Sequence, residues 1–319
     1  MKCLTKMGFT LVELMVVIAI IGILAAALTA QITKTQDVAR ATRCKSNLRA
    51  LSQGAQHNGS ASGKYPLAGS FEKIGLSWNG STFRENYSGE RAWVSWTSGS
   101  SPTWPWGTGN SSSSPQGGRV EHAPFFGAAA FISVTNGTLW GLVGKNADIY
   151  VCDAHKRAAR AAIGGHPAIY RSYVMSAYFN FDDTGTSGFN RQPKSVYDDG
   201  RWHVEDVLAD GKASIRLMFA ELPAYTTYSP KPITDGGAIR DARRADSVLD
   251  YGRFNDEVIG FNHQIAKRWV AHVAFTDGHV DSIIKPKNAK TFEDSDIKKL
   301  TQQLCKAIEI EGDLREKMK

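Results

Sequence analysis

The chain has 319 residues, 42% of them hydrophobic and 22% charged, an ordinary composition for a globular protein with a real core. The formal net charge of +7 comes from 38 basic and 31 acidic residues spread along the chain, without the Lys/Arg block of a nucleic-acid-binding arm. The four cysteines form no CxxC pair, which argues against a zinc ribbon or a thioredoxin-type redox site.

The first predicted element is an apolar helix over residues 9–28. This run holds one charge, Glu13, and at about 1.5 Å per residue it has the length to span the hydrocarbon core of a bilayer, about 30 Å. Lys2 and Lys6 precede it, so we expect the N-terminus on the cytoplasmic side and the remaining chain on the other side. Because a carboxylate inside a bilayer is costly, Glu13 is predicted to have a function.

Three interpretations of this segment compete. The small residues "AAALTA" at 25–30 suit the cleavage site of a secretory signal peptide, and the length fits a plain membrane anchor, which gives no reason for Glu13. The third interpretation follows from a resemblance: "KMGFTLVELMVVIAIIGILAAAL", residues 6–28, resembles the N-terminus of type IV prepilins and of type II secretion pseudopilins. It explains the basic leader, the Gly-Phe pair and the acid together.

The resemblance implies a leader of residues 1–8, which a prepilin peptidase removes after Gly8, and N-methylation of the new terminal residue, Phe9. It places the acid of the family at Glu13 and makes residues 9–28 a membrane and assembly helix. We expect the α-amine of Phe9, most simply that of a neighbouring subunit, to neutralise Glu13, because opposite charges at low dielectric offset part of their desolvation.

Beyond residue 28 the helix is predicted to continue, since no Pro occurs before Pro66 and no Gly between Gly22 and Gly54. Residues 29–57 are expected to be amphipathic and to pack on a globular head. The apolar stripe at helical spacing consists of Ala41, Cys44, Leu48, Leu51 and Ala55. The side chains expected to point elsewhere are Lys45, Asn47, Arg49 and Gln53. The Gly and Pro signals in "QHNGSASGKYP" are predicted to end a helix of about 45 residues.

Residues 58–120 form a Gly/Ser-rich insertion that carries five of the eight tryptophans. Flexible linkers seldom contain so many large aromatic side chains. The tryptophans either form an exposed platform for a glycan or another partner, or hold a loop-rich insertion together, and we favour the second interpretation.

Residues 121–319 are predicted to form the head. Strands are expected in "ADIYVCD" (147–153), "RSYVMSAYF" (171–179) and "SIRLMFAE" (214–221), and a hairpin over residues 269–283 with "DGH" as its turn. A C-terminal helical pattern over residues 293–318 begins at Asp294 or Ser295 as the cap. The predicted fold is therefore α+β and pilin-like, a long N-terminal helix packed on an antiparallel sheet with loop-rich insertions.

The head also resembles a large set of bacterial pseudopilin-like proteins in a series of short motifs. The motifs are "CKSNLRAL" (44–51), "YVCDA" (150–154), "RSYVMS" (171–176), His263 and "AFTDGHV" (274–280). Two features depart from the usual pattern: Asp153 replaces a Pro, and thirteen residues separate His263 from Asp277 where about nine is usual. Glu221 resembles an acid often found in these heads, and we expect it to form an ion pair with an Arg.

Two pairs of residues are candidate sites in the head. A disulfide between Cys44 and Cys152 would join the helix to the sheet and add about 2–5 kcal/mol of stability, and the alternative is two buried free thiols. Major pseudopilins bind calcium in the head, but Asp277 and Asp281 alone offer too few oxygens for calcium. An Asp-Gly turn is the favoured interpretation, with Asp277 accepting local N–H bonds and Gly278 at positive φ.

The sequence contains no nucleophile elbow, Walker A loop or Rossmann fingerprint, so we expect no enzyme and, apart from calcium, no cofactor. The resemblance implies a structural subunit of a type II secretion pseudopilus or a type IV pilus-like filament. Its partners would be the prepilin peptidase, other pilin subunits and the bacterial inner membrane, with a periplasmic head. The rival functions are an anchored binding protein with a Trp-rich head and an anchored hydrolase using His263, Asp277 and His279.

Overall fold

The computed structural model describes residues 10–70, 72–78, 83–88, 92–94, 131, 133–162, 169–176, 179, 181–182, 204–209, 211–224, 248–249, 258–292, 294–305, 310 and 312–319. Gly8 and Phe9 lie outside these residues, as do three tryptophans of the insertion, Trp96, Trp104 and Trp106.

The long N-terminal helix is confirmed as α1 (Leu11–Ser62), 52 residues in length. It ends at Gly63, whose φ of 71° is the left-handed conformation that glycine adopts readily at a helix C-terminus. The predicted end near residue 57 was too early, because Gly59 does not break the helix. A Cβ at Gly59 would lie 2.6 Å from Val204 Cγ2, so this glycine permits a close approach to the Val204 segment.

The other helices whose full lengths lie within the described residues are short and belong to the head. They are α2 (Asp153–Ala162), α3 (Val204–Ala209), α4 (Ser295–Cys305) and α5 (Gly312–Met318). The C-terminal helical pattern is confirmed by α4 and α5, and the Asp294 carboxylate accepts a hydrogen bond from Asp296 N at 3.0 Å, as expected of a cap.

The strands in the part of the chain that the structure describes, in chain order, are β1 (Gly69–Ser70), β2 (Glu72–Trp78), β3 (Phe83–Ser88), β4 (Tyr173–Ser176), β5 (Phe181–Asp182), β6 (Leu217–Glu221), β7 (Val248–Leu249), β8 (His263–Ile265), β9 (Arg268–Phe275) and β10 (Val280–Ile284). Among the described residues, six of them form the main sheet in the order β10-β9-β6-β4-β7, and β8 also pairs with β9. All pairs in this sheet are antiparallel except β4–β7, which is parallel. The α+β class is confirmed, with one parallel edge that the sequence did not predict.

One predicted strand is wrong. Residues 147–153 form a 3-10 helix (Ala147–Tyr150) followed by an extended step into α2. The Asn146 side chain accepts a hydrogen bond from Asp148 N at 3.0 Å and caps this short helix. The apolar residues Ile149 to Cys152 suit a strand by composition, but the local cap decides the conformation.

The sheet separates two hydrophobic layers. On one face lies the C-terminal half of α1, whose predicted stripe is fully confirmed: Cys44, Leu48 and Leu51 have no exposed surface. On the other face lies α4, with Ile297 and Leu300 buried. Strand β4 shows why both layers form, since Tyr173 and Met175 belong to the α1 layer and Val174 to the α4 layer.

Candidate functional site

The start of α1 is fixed by a reciprocal pair of residues, Thr10 and Glu13. Glu13 N donates to Thr10 Oγ1 at 3.2 Å, and both Thr10 N and Thr10 Oγ1 donate to Glu13 Oε2 at 2.8 Å. This arrangement is a capping box. Its signature, Thr-x-x-Glu before an apolar run, is present in the sequence, but the role predicted for Glu13 was pairing with the Phe9 α-amine, and the helix cap was missed. Within one subunit the acid already has a structural task.

The first turns of α1 leave large apolar side chains uncovered. Leu11, Ile18 and Ile23 expose 69%, 60% and 70% of their surface. In the part of the chain that the structure describes, no helix combines the length and apolarity that a membrane crossing requires, so the predicted span over residues 9–28 is not confirmed.

The head contains a second candidate site, which we call the thiol cluster: Cys44, Cys152, Glu221 and His263. Their sulfur, carboxylate oxygen and imidazole nitrogen atoms all lie within 4.8 Å of one another. The four residues are buried, with 0%, 0%, 0% and 2% of their surface exposed. Each comes from a different segment of the chain, and the sequence had suggested Cys44 and Cys152 as a pair but Glu221 and His263 only as separate features. The structure brings all four together.

The four residues of the thiol cluster stand on a buried helix face, at a helix N-terminus and at the ends of two strands. Cys44 belongs to the buried stripe of α1, and the carbonyl of Cys152 accepts from Lys156 N at 2.9 Å, so Cys152 is the N-terminal cap of α2. Glu221 is the last residue of β6, and His263 is the first residue of β8.

A chain of backbone hydrogen bonds holds three of these segments side by side. Ser172 N donates to Tyr150 O at 2.8 Å, and Leu222 N donates to Ser172 O at 2.8 Å. Gly260 N then donates to Glu221 O at 2.7 Å. The segments that carry Cys152, Glu221 and His263 are therefore joined laterally through β4 and β6.

Asn47 ties the fourth element, α1, to this framework. Its Nδ2 donates to Asp148 O and to Val151 O, each at 3.0 Å, and the side chain is buried. We had expected Asn47 to point away from the stripe, and that expectation was wrong. Asn47 stands three residues after Cys44 and is bonded to the residue before Cys152, so it links the turn of α1 that carries Cys44 to the segment that carries Cys152.

Direct contacts inside the cluster centre on His263 Nε2. It lies 3.0 Å from Glu221 Oε1 and 3.5 Å from Cys152 Sγ. The second carboxylate oxygen of Glu221 accepts from Asn262 Nδ2 at 3.2 Å. The ring of His272 lies beside that of His263, with centroids 4.7 Å apart.

The ionisation of these groups is strongly interdependent. Burial raises the pKa of Glu221 to about 7, against the opposing charge of His263. Burial alone would lower the pKa of His263, but the carboxylate of Glu221 and the sulfur of Cys44 raise it to about 10. Burial and the neighbouring Cys44 raise the pKa of Cys152 well above its ordinary value. The cluster therefore brings four ionisable groups within 4.8 Å of one another, out of contact with solvent.

Two expectations about these residues can be set beside the structure. Cys44 and Cys152 are free and buried here, which is the alternative to the disulfide, and their sulfurs lie within 4.8 Å of each other; the disulfide itself stays a prediction. Glu221 has His263 and Asn262 as partners in place of the expected Arg.

The Asp-Gly turn is confirmed. Asp277 Oδ1 accepts from His279 N at 3.1 Å, and Gly278 has a φ of 90°. His263 pairs with Val270 near the start of β9, whereas Asp277 and His279 follow the end of that strand. The three residues of the hydrolase hypothesis are thus not assembled into one site. Asp281 accepts a hydrogen bond from Ser282 N at 2.6 Å, and calcium binding at Asp277 and Asp281 stays a prediction.

Of the tryptophans in the insertion, Trp93 is described with its side chain, and it is completely buried. Its ring stacks on Tyr150 with centroids 6.0 Å apart and meets the edge of Phe219 at 5.1 Å. Trp93 therefore belongs to the core under α1 and not to an exposed platform.

Comparison with known proteins bears on the N-terminal segment. The family described as "Prokaryotic N-terminal methylation motif" matches residues 8–29. No curated protein and no solved structure matches the chain. The match indicates a type IV pilin-like protein that is processed by a prepilin peptidase and assembles with other pilin subunits.

Proposed function

We propose that this chain is a structural subunit of a type II secretion pseudopilus or of a type IV pilus-like filament, cut after Gly8 and N-methylated on Phe9. The methylation-motif match supports this, since residues 8–29 include Gly8, Phe9 and Glu13. The subunit would sit in the bacterial inner membrane with its head in the periplasm before it enters the filament. We propose no enzymatic activity for it.

The observation that carries the proposal is the contrast between the two halves of α1. The C-terminal half buries its stripe in the head, as at Leu48 and Leu51, whereas residues 11–26 expose a mostly apolar surface all round, as at Leu11 and Ile23. A helix that is apolar on every side requires burial in lipid or among other helices. One continuous helix can therefore join a folded head to a bundle of neighbouring subunits.

The capping box supports an assembly role for Glu13. Its carboxylate lies 2.8 Å from Thr10 N, the backbone atom next to residue 9. After cleavage, the new α-amine would belong to Phe9, the residue before Thr10, whose backbone nitrogen contacts this carboxylate. The subunit thus presents a positive and a negative group at the tip of an apolar helix, and neighbouring helix tips can exchange these partners.

The test uses the bacterium that makes this protein. Filaments are sheared from cells that express the wild-type chain, Glu13→Gln or Glu316→Gln, the last being a matched change on the exposed surface of α5. We expect all three chains in the membrane with residues 1–8 removed, and Glu13→Gln strongly depleted from the sheared fraction. Normal entry of Glu13→Gln into filaments would contradict the role of Glu13, and an uncut wild-type chain would contradict the proposed function.

A further inference from the structure

We propose that the thiol cluster is a structural metal site that binds one zinc ion through Cys44 Sγ, Cys152 Sγ, a carboxylate oxygen of Glu221 and His263 Nε2. The proposal does not depend on the assembly role of the first turns of α1, because it rests on contacts between the head and the C-terminal half of that helix.

The donor set selects the metal. Two sulfur donors disfavour magnesium and calcium, which prefer oxygen ligands, whereas zinc accepts sulfur, imidazole nitrogen and carboxylate oxygen in one tetrahedral shell. Four protein ligands fill that shell and leave no position for a substrate or an activated water. The site is therefore suited to holding the fold together.

Two of the donor–donor distances are already close to those of such a shell. A tetrahedron with Zn–N and Zn–S bonds of about 2.05 and 2.3 Å has an N···S edge of about 3.6 Å, and Zn–N and Zn–O bonds give an N···O edge of about 3.4 Å. The observed separations from His263 Nε2 are 3.5 Å to Cys152 Sγ and 3.0 Å to Glu221 Oε1. The remaining pairs are within 4.8 Å, so each needs to shorten by about 1 Å or less to reach tetrahedral contact.

Residues behind the ligands hold them in place through hydrogen bonds. Asn262 Nδ2 donates to Glu221 Oε2 at 3.2 Å and to Leu222 O at 2.8 Å, while its Oδ1 accepts from Ala224 N at 2.8 Å. Asn262 is thus fixed by the backbone on both sides and orients the carboxylate, as residues behind metal ligands do. Asn47 performs the corresponding task for the segment before Cys152.

A nucleophilic role for the two cysteines is disfavoured by their burial. Cys44 and Cys152 have no exposed surface, so a substrate cannot reach either sulfur without opening the head. Burial does not disfavour a structural metal ion in the same way, because the ion can be bound while the chain folds around it. The ligands stand at residues 44, 152, 221 and 263, so the ion would connect α1, α2, β6 and β8, which are distant in the sequence.

The experiment uses the full chain, extracted in detergent and kept reduced. Metal content is measured by mass spectrometry on the protein as isolated. A sample stripped with a chelator is then titrated with Co²⁺ and afterwards with Zn²⁺. We expect one zinc per chain, a Co²⁺ spectrum with thiolate charge-transfer and tetrahedral ligand-field bands, and loss of those bands when Zn²⁺ is added.

Variants assign the site to these residues. Cys152→Ser should weaken the thiolate charge-transfer band, because one of the two sulfur ligands is lost, and should lower zinc affinity by more than about 100-fold; Asn262→Ala should lower the affinity by about 10–100-fold. Cys305→Ser is the matched control, because Cys305 is also a buried cysteine but lies outside the cluster, and it should retain one zinc ion. Since Asn262 is not a ligand, its effect can be measured even where Cys152→Ser does not fold.

Three results would overturn the proposal. The first is a folded, reduced wild-type chain that takes up neither Co²⁺ nor Zn²⁺. The second is a Cys44–Cys152 disulfide in the protein as isolated, found by alkylation and peptide mass mapping, because those sulfurs are then unavailable as thiolate ligands. The third is zinc binding that survives in Cys152→Ser and Asn262→Ala at wild-type affinity.

Discussion

Replacement of Asn47 by alanine would disconnect α1 from the segment that carries Cys152. The Asn47 side chain donates to Asp148 O and Val151 O, each at 3.0 Å, across more than 100 residues of sequence. The bond to Val151 O is buried, and an alanine methyl group offers that carbonyl no replacement donor. In the variant, the Val151 carbonyl would therefore be shielded from water and would lack its hydrogen-bond donor Asn47.

A buried polar group left without a partner costs about 1–3 kcal/mol, and the second, partly buried bond adds about 0.5–1.5 kcal/mol. The gain in helix propensity from Asn to Ala returns about 0.5 kcal/mol. We therefore expect Asn47→Ala to lower the free energy of unfolding of the head by about 1–4 kcal/mol, with the middle of that range the most representative value.

The assay is urea unfolding of the full chain in detergent, followed by the fluorescence of the head, which contains the buried Trp93. Gln53→Ala is the matched control, because it removes another amide side chain from an exposed position of α1 and should change stability by about 0.5 kcal/mol or less. Equal unfolding midpoints for Asn47→Ala and Gln53→Ala would refute the idea that Asn47 anchors the Cys152 segment.

Two further predictions concern the head. A Cβ at Gly260 would lie 2.3 Å from the backbone carbon and oxygen of Leu222, so Gly260→Ala should destabilise the head by about 1–3 kcal/mol in the same assay, whereas Gly141→Ala, with no atom within 4 Å, should not. Burial and the charge of Arg171 lower the pKa of His155 from 6.5 to about 4. Between these two pH values the histidine is protonated in the unfolded chain and neutral in the folded chain. The resulting stability is present above pH 6.5 and is lost as the pH falls, by about 2 kcal/mol between pH 7 and 5. His155→Phe should flatten this part of the pH profile and the exposed His57→Phe should not; a profile unchanged by His155→Phe would contradict the assignment.

The parts of the fold that depend on periodicity were predictable. The stripe from Ala41 to Ala55 follows the 3.6-residue repeat, and all its members are buried as expected. The hairpin of β9 and β10 follows from two β-rich runs around an Asp-Gly turn. The end of α1 was misplaced because Gly59 serves close packing against Val204, which is a tertiary cause that the local sequence does not reveal.

The thiol cluster was not predictable as a unit. The sequence suggested Cys44 and Cys152 as a disulfide pair and Glu221 and His263 as separate features, but no local spacing links all four, since they come from separate segments of the chain. The absence of a CxxC pair argued against a zinc ribbon, and that rule covers only ligands that are close in sequence. Asn47 was misplaced for a related reason: a polar residue beside an apolar stripe is assigned to solvent unless its distant backbone partners are known.

The intact mass of the protein, extracted from the membrane of its own bacterium, shows whether the chain is processed as a pilin-like subunit. We expect a chain that starts at Phe9, lacks residues 1–8 and carries one additional methyl group on the new α-amine. A chain that retains residues 1–8, or one cut after the "AAALTA" segment at residues 25–30, would refute pilin-like processing.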